Sequence, residues 1–312
     1  MSAWDGGLRQ ILSVQADAFG IRQPSPAARG ALDAARQTGF VWTRQAGVAC
    51  LAADRRFLRI ALDNPSVVAI VVPTSLAGTD AGERALIVAE LPDELYHHLH
   101  AAQRFEETAT TMQVDASAQV DPSAIIRGDV RIDAGASVGP RAVVDGPVRI
   151  RAGARIEAGA IIGCEGLYAK QVLGARIHVP HFGGVDIGEG AYVHAGAVIV
   201  RSAVRGEATR IGPRAHIGVL SNIGHDAEIG EGATISSNVV VAGRARVGAR
   251  AWIGASATIS NMVRIGDGAE VRIGAVVVQD VPDGGDVSGN FARSHARNMK
   301  EYLTDARRQT GS

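Results

Sequence analysis

The chain has 312 residues, enough for two domains and a sizeable buried core. Lys and Arg number 32, and Asp and Glu also number 32, so the formal charge is zero; this argues against the basic excess that nucleic-acid binding requires. Aromatic residues make up 4% of the chain while Gly reaches 38, a composition that suits thin regular layers of aliphatic side chains better than a ring-filled globule.

Two cysteines, Cys50 and Cys164, stand far apart and read as reduced thiols of a cytoplasmic protein rather than a disulfide scaffold. The start Met-Ser-Ala-Trp-Asp has no basic segment followed by an apolar one. No apolar run approaches the roughly 18 residues of a membrane span. A soluble, cytoplasmic protein is expected.

Residues 1–112 read as a compact α/β domain. Ser25-Pro26 offers an N-cap followed by proline at the first helical position, which predicts a helix ending near Gly39. The run 67–72, closed by Pro73, predicts a buried strand, and 94–107 predicts a second helix.

From Val114 the sequence steps in sixes: Val120, Ile126, Ile132, Val138, Val144, Ile150, Ile156, Ile162. After a break it resumes at Ile187, Val193 and Ile199, misses once at Arg205, and continues from Ile211 to Val277. Four residues after each aliphatic there is usually a small side chain, such as Ala136, Ala154, Ala215, Ser221 or Ala251. A period of six fits neither an amphipathic helix nor an alternating strand. It fits short strands joined by tight corners, one large side chain pointing inward per strand. Three hexads make one coil, so residues 18 apart stack. The expectation is a mainly β fold: a left-handed parallel β-helix of hexapeptide repeats over 113–282, with the α/β domain before it.

Residues 163–186 break the phase and read as a loop extruded from the helix. Tyr168, His178, His181 and Phe182 concentrate scarce side-chain types there, which favours a functional loop over a tolerated surface insertion. Residues 283–312 form a C-terminal extension with a short helix expected over 295–309. Its Arg293, Arg297, Lys300, Arg307 and Arg308 are either a solvated face or a docking surface for an acidic carrier.

These segments together resemble the UDP-3-O-acylglucosamine N-acyltransferase family of lipid A biosynthesis, or a close relative acylating another nucleotide-linked amino sugar, over most of the chain. In the first domain, Cys50-Leu-Ala-Ala-Asp-Arg-Arg-Phe57 is similar to the family's uracil-pocket segment, which implies that Leu51 and Phe57 line that pocket and that the domain binds a nucleotide sugar. Leu91-Pro-Asp-Glu-Leu-Tyr, followed by Phe105, resembles the link into the repeats. Gly163-Cys-Glu-Gly-Leu-Tyr-Ala169 and His178-Val-Pro-His-Phe-Gly-Gly184 match the extruded loop in order and spacing, and Val287-Ser-Gly-Asn-Phe-Ala292 fits the family's ending. Asn222-Ile-Gly-His-Asp-Ala-Glu-Ile-Gly230 resembles the catalytic histidine motif and points to His225.

The chain departs from the family in places. Asn222 stands where the family has Gln, Met262 where it has a second histidine, Glu165 and Leu167 where it has Asp and Phe, and Leu51 where it has Phe. These departures bear on the sugar, the acyl length and the donor more than on the reaction type. The resemblance implies a homotrimer that uses an acyl carrier protein thioester and holds no bound cofactor.

Read from the residues, acyl transfer to an amine needs a base and a stabilised oxyanion. A histidine titrates near working pH, so His225 is the candidate base. Gly243 lies 18 residues on, hence one coil above, and its N–H is the candidate oxyanion donor; a plain corner glycine is the other reading. Asn261, two coils above, either orients substrate or is a corner residue. Asp226 reads as a solvated carboxylate, with tuning of the histidine as the alternative. His194 and His216 read as surface or interface residues, and Cys164 as a buried thiol. No metal-ligand spacing is evident.

Two other functional classes stay open: an acetyl-CoA-dependent sugar N- or O-acetyltransferase, and a non-catalytic β-helix scaffold. The first domain and the loop favour carrier-protein-dependent N-acylation over acetyl-CoA chemistry. His225 beneath Gly243 favours either enzyme over the scaffold.

Overall fold

The structure, a computed structural model, describes residues 3–22, 29–104 and 111–289, together with Ser294, Arg297 and Met299. The expected cap at Ser25, Phe105 and most of the expected C-terminal helix lie outside the described residues.

The first domain is a four-stranded parallel sheet in the order β1-β2-β3-β4, formed by Gln37–Thr38, Val48–Leu51, Val67–Pro73 and Ala85–Ala89. Among the described residues four α-helices flank it: α1 (Gly7–Val14), α2 (Arg29–Ala34), α3 (Arg55–Asp63) and α4 (Pro92–Ala101). The β-branched run of β3 is buried almost throughout, as its composition demands of a central parallel strand. Alternation along β2 divides the core. Val48 and Cys50 join Phe57 and Leu58 on one face, while Ala49 and Leu51 join Trp4, Leu8 and Leu95 on the other.

The expected helix toward Gly39 is shorter than the sequence suggested. It ends at Ala34, and Gln37–Thr38 pairs with β2 instead. Thr38 is buried, with its N–H donating to the Gln103 side chain at 2.8 Å and its hydroxyl 2.6 Å from His100 Nδ1, so tertiary bonds override the local helical pattern. The expected helix from 94 is α4, which begins earlier, at Pro92.

From Met112 the chain winds into a parallel β-helix of hexapeptide repeats with the expected left-handed architecture. Its three sheets hold eight, eight and nine parallel strands. Residues 18 apart stack in register, as Asn222 on Val240 and Ile223 on Val241. The six-spaced aliphatics from Ile132 to Val277 form one continuous buried column, with the small residues of the pattern beside them. Val114 is exposed, and Val120 and Ile126 are partly buried, because the strands of the first coil end their sheets among the described residues. Several corners carry non-glycine residues in the left-handed region, among them Asp226 at φ 60° and Arg244 at φ 62°.

The break in the ladder is narrower than 163–186. Ile161–Cys164 and Gly184–Ile187 are strands of the helix, and Val185, two residues before Ile187, also points into the core. The excursion proper is 165–183. It contains an antiparallel hairpin, Ala169–Val172 with Ala175–His178, whose Val172 packs into the core of the first domain. The misfit at Arg205 is a second, smaller departure. Gly184 pairs with Ala208, so that coil holds six residues more than the 18 of the coil above it.

Both departures grip the first domain. Lys170 Nζ is 3.0 Å from Asp93, and the Leu173 N–H donates to Glu94 at 2.6 Å. Gln37 donates to the Arg205 carbonyl at 2.9 Å and Gln45 to that of Gly206 at 3.0 Å. Glu207 accepts from the Thr43 hydroxyl and the Arg44 N–H. The first domain and the excursion therefore close over one stretch of the helix, which contains His225. Among the described residues no helix is long and apolar enough to cross a membrane.

Candidate functional site

His225 follows the strand Asn222–Ile223 and sits in a corner, which turns its side chain outward from the column. Nδ1 is 2.7 Å from Asp226 Oδ2. Asp226 is nearly enclosed, its side chain 10% exposed, and is not the solvated carboxylate expected. Its φ of 60° folds it back beneath the ring, where its oxygens also accept from the Ser202 hydroxyl and the Ala203 N–H. Its own N–H donates to Thr209 at 2.8 Å. Burial works to raise the Asp226 carboxyl, but the hydrogen bond and charge of His225, with the bonds from Ser202 and Ala203, outweigh it and hold it below the usual carboxylate range.

Gly243 stacks one coil above, as expected. A Cβ at this position would lie 2.6 Å from His225 Nε2, so the ring occupies the space that a side chain would need. Nδ1 is committed to Asp226, which leaves Nε2 to face a reactant beside the Gly243 backbone.

The excursion covers the rest of the ring. Tyr168 stacks on it at 5.3 Å and 9° between planes, and His181 meets it edge-on at 5.4 Å. Tyr168 is fixed from behind. His97 Nδ1 donates to the Asp93 carbonyl at 2.7 Å, leaving Nε2 to accept from the Tyr168 hydroxyl at 2.9 Å. His100 Nε2 donates to the Pro180 carbonyl at 2.9 Å, and its ring lies 5.2 Å from Phe182. Burial pushes His100 down to about 4. Burial, followed by the nearby charge of His225, pushes His181 down to about 4 as well. The sequence reading missed His97 and His100. Their spacing of three along α4, which puts both on one face, was the available signal.

His178 Nε2 is 2.7 Å from Glu165 Oε2, and the His181 N–H donates to the other Glu165 oxygen at 3.1 Å. Although the sequence shows no metal-ligand spacing, the fold gathers Glu165, His178 and His181, with one ligand atom from each lying within 4.8 Å of the others.

On the other side of Asp226 a cavity of about 240 Å³ opens between the first domain and the helix. Phe40, Trp42 and Phe57 form its aromatic wall, with Phe40 and Trp42 stacked at 5.4 Å. Arg44, Arg56, Arg244, Arg246 and Arg264 supply positive charge, and the Arg244 guanidinium lies 4.7 Å over the Phe40 ring. Phe57 and Met262 line this cavity, but Leu51 does not, since β-strand alternation places it on the opposite face of the sheet. Phe40 and Trp42, not Leu51, provide the flat apolar surface. Asn222 is exposed on its strand and Asn261 is exposed at a corner near Ser260; neither joins the His225 cluster. Cys164 is half-buried, not enclosed, and its thiol is raised by burial. His194 and His216 lie on the outer surface of another sheet, grouped around Tyr192.

Residues 208–243, which include His225, match the bacterial transferase hexapeptide (six repeats) family. No curated protein matches the chain. Similar solved structures include a UDP-N-acetylglucosamine acyltransferase from Francisella novicida, at 22% identity and TM-score 0.48 over 61% of this chain and 71% of that one. Another is the UDP-N-acetylglucosamine acyltransferase from Campylobacter jejuni, at 23% identity and TM-score 0.47 over 55% of this chain and 67% of that one. A UDP-N-acetylglucosamine O-acyltransferase from Moraxella catarrhalis is 26% identical, with TM-score 0.40, over 62% of this chain and 76% of that one. The segment that carries the candidate base is thus a stretch of bacterial-transferase hexapeptide repeat.

Proposed function

We propose that the protein is an N-acyltransferase that moves an acyl group from an acyl carrier protein thioester to the amino group of a nucleotide-linked amino sugar. The observation that carries the reading is the His225–Asp226 pair, with Nε2 facing Gly243 and Asp226 bordering the arginine-rich aromatic cavity. In this reading the amine nitrogen attacks the thioester carbonyl as His225 Nε2 takes its proton. The Gly243 N–H donates to the oxyanion. The C–S bond then breaks, the amide forms, and the proton on Nε2 passes to the leaving thiolate. Asp226 stabilises the imidazolium between the two transfers.

The cavity suits a nucleoside diphosphate. Its aromatic wall offers a face to a base, and its guanidinium groups can pair with a pyrophosphate. Acyl transfer by a cytoplasmic homotrimer is part of the same proposal, with further subunits extending the donor surface. The test is turnover with acetyl-CoA and with long-chain acyl carrier protein on a panel of UDP- and dTDP-amino sugars. Carrier-protein-dependent amide formation supports the reading, whereas efficient use of acetyl-CoA alone replaces it with the acetyltransferase reading. His225→Ala should lower turnover by roughly 10²–10⁴ while the chain stays folded.

A further inference from the structure

The base of the excursion holds two imidazoles and a carboxylate from a short, rigid stretch of chain. Glu165 follows the strand Ile161–Cys164, His178 ends the strand Ala175–His178, and His181 comes three residues later. Val179 between them is buried, and its N–H donates to the Tyr168 carbonyl at 2.7 Å. Pro180 is held through its carbonyl by His100. The backbone that presents the two histidines is therefore fixed before any ligand arrives.

His181 supplies an independent sign that something binds here. Its side chain is deeply buried, the residue being 3% exposed. Both of its ring nitrogens lack a hydrogen-bond partner among the described residues. An imidazole out of water with both nitrogens unmatched has lost its hydration at two polar atoms and gained nothing in return. A ring nitrogen of His181 is within 4.8 Å of donor atoms of His178 and Glu165, both exposed and able to turn.

We propose that Glu165, His178 and His181 form a binding site for one zinc-like divalent cation per chain. Two imidazole nitrogens and one carboxylate oxygen suit a borderline metal, whereas magnesium and calcium prefer all-oxygen sets. Zinc needs ligand distances of about 2.0–2.2 Å, which these donors reach through side-chain rotations of roughly an ångström. The ion takes over the Glu165 oxygen that now meets His178, and satisfies one of the orphaned His181 nitrogens. The exposed side of Glu165 and His178 leaves a further coordination position open to solvent. The ion ties the two ends of the hairpin together directly beside the ring that meets His225 edge-on. The inference does not depend on acyl transfer, because its readout is binding.

The experiment is calorimetric titration of the full chain with Zn²⁺ alone, after chelator treatment and dialysis, with Mg²⁺ in parallel. One saturable Zn²⁺ site per chain is expected, weakened more than about tenfold in Glu165→Gln and in His178→Gln. Both positions are exposed, so these variants fold even if His181→Gln perturbs packing. Unchanged binding in His194→Gln and His216→Gln supports the assignment. Absence of stoichiometric binding, wild-type affinity in Glu165→Gln and His178→Gln, or loss of binding only in the His194 and His216 variants would overturn it.

Discussion

His225 Nδ1 and Asp226 Oδ2 are 2.7 Å apart, although the two residues are adjacent in sequence. Neighbouring side chains in a strand point to opposite faces, and it is the left-handed conformation of Asp226 that brings these two together. If His225 is the base, the carboxylate fixes its tautomer and stabilises its charged form. Asp226→Asn should then lower kcat by roughly 10²–10⁴, with a much smaller change in KM. Steady-state kinetics against the nucleotide sugar checks this, with circular dichroism to confirm the fold.

Gly243→Ala places a methyl where a Cβ would be 2.6 Å from His225 Nε2. The ring must swing away, and its bond to Asp226 must lengthen. The expected outcome is a loss of turnover approaching that of His225→Ala. Thermal unfolding should show only a small drop in midpoint, since the corner is at the surface of the column.

Removing positive charge from the aromatic cavity should act on binding. A hydrogen bond to a charged group contributes about 1.5–3 kcal/mol, so Arg244→Ala should raise KM for the nucleotide sugar roughly 10- to 100-fold with little effect on kcat. Equilibrium binding of the free nucleoside diphosphate to the variant gives the same comparison without turnover. Unchanged affinity would remove the cavity as the nucleotide site.

Buried His100 predicts a pH dependence of stability. Its folded pKa of about 4 lies below the ordinary value of about 6.5, so between the two the unfolded chain binds more protons. Stability is therefore full above about pH 6.5 and declines as pH falls toward 4, by on the order of 3 kcal/mol. Urea unfolding at a series of pH values should show this decline, and His100→Gln should remove its share of it while lowering stability at neutral pH; His181, also pushed down to about 4, keeps a decline of its own over the same window.

The ladder was legible because its period is the fold: each sixth residue is a buried strand position, and stacking at 18 follows without long-range information. Gly243 over His225 came from the same arithmetic. What the sequence hid depends on parity and coverage. Leu51 was assigned to the nucleotide pocket by position in a motif, but strand alternation turns it to the opposite face from Phe57. Asp226 looked solvated because nothing local reveals that Ser202 and Ala203, from the enlarged coil, close over it. Glu165, His178 and His181 show no ligand spacing as text, since a hairpin separates the first from the other two.

The corner that bears His225 recurs one and two coils higher as Gly243 and Asn261. The column presents equivalent shelves along its length, and what singles out one of them is the roof made by the hairpin and the first domain. Lengthening the solenoid by whole coils would add shelves without adding reaction centres. Moving the roof by one coil, by contrast, would strand the histidine in open solvent and leave its former cover over a bare glycine.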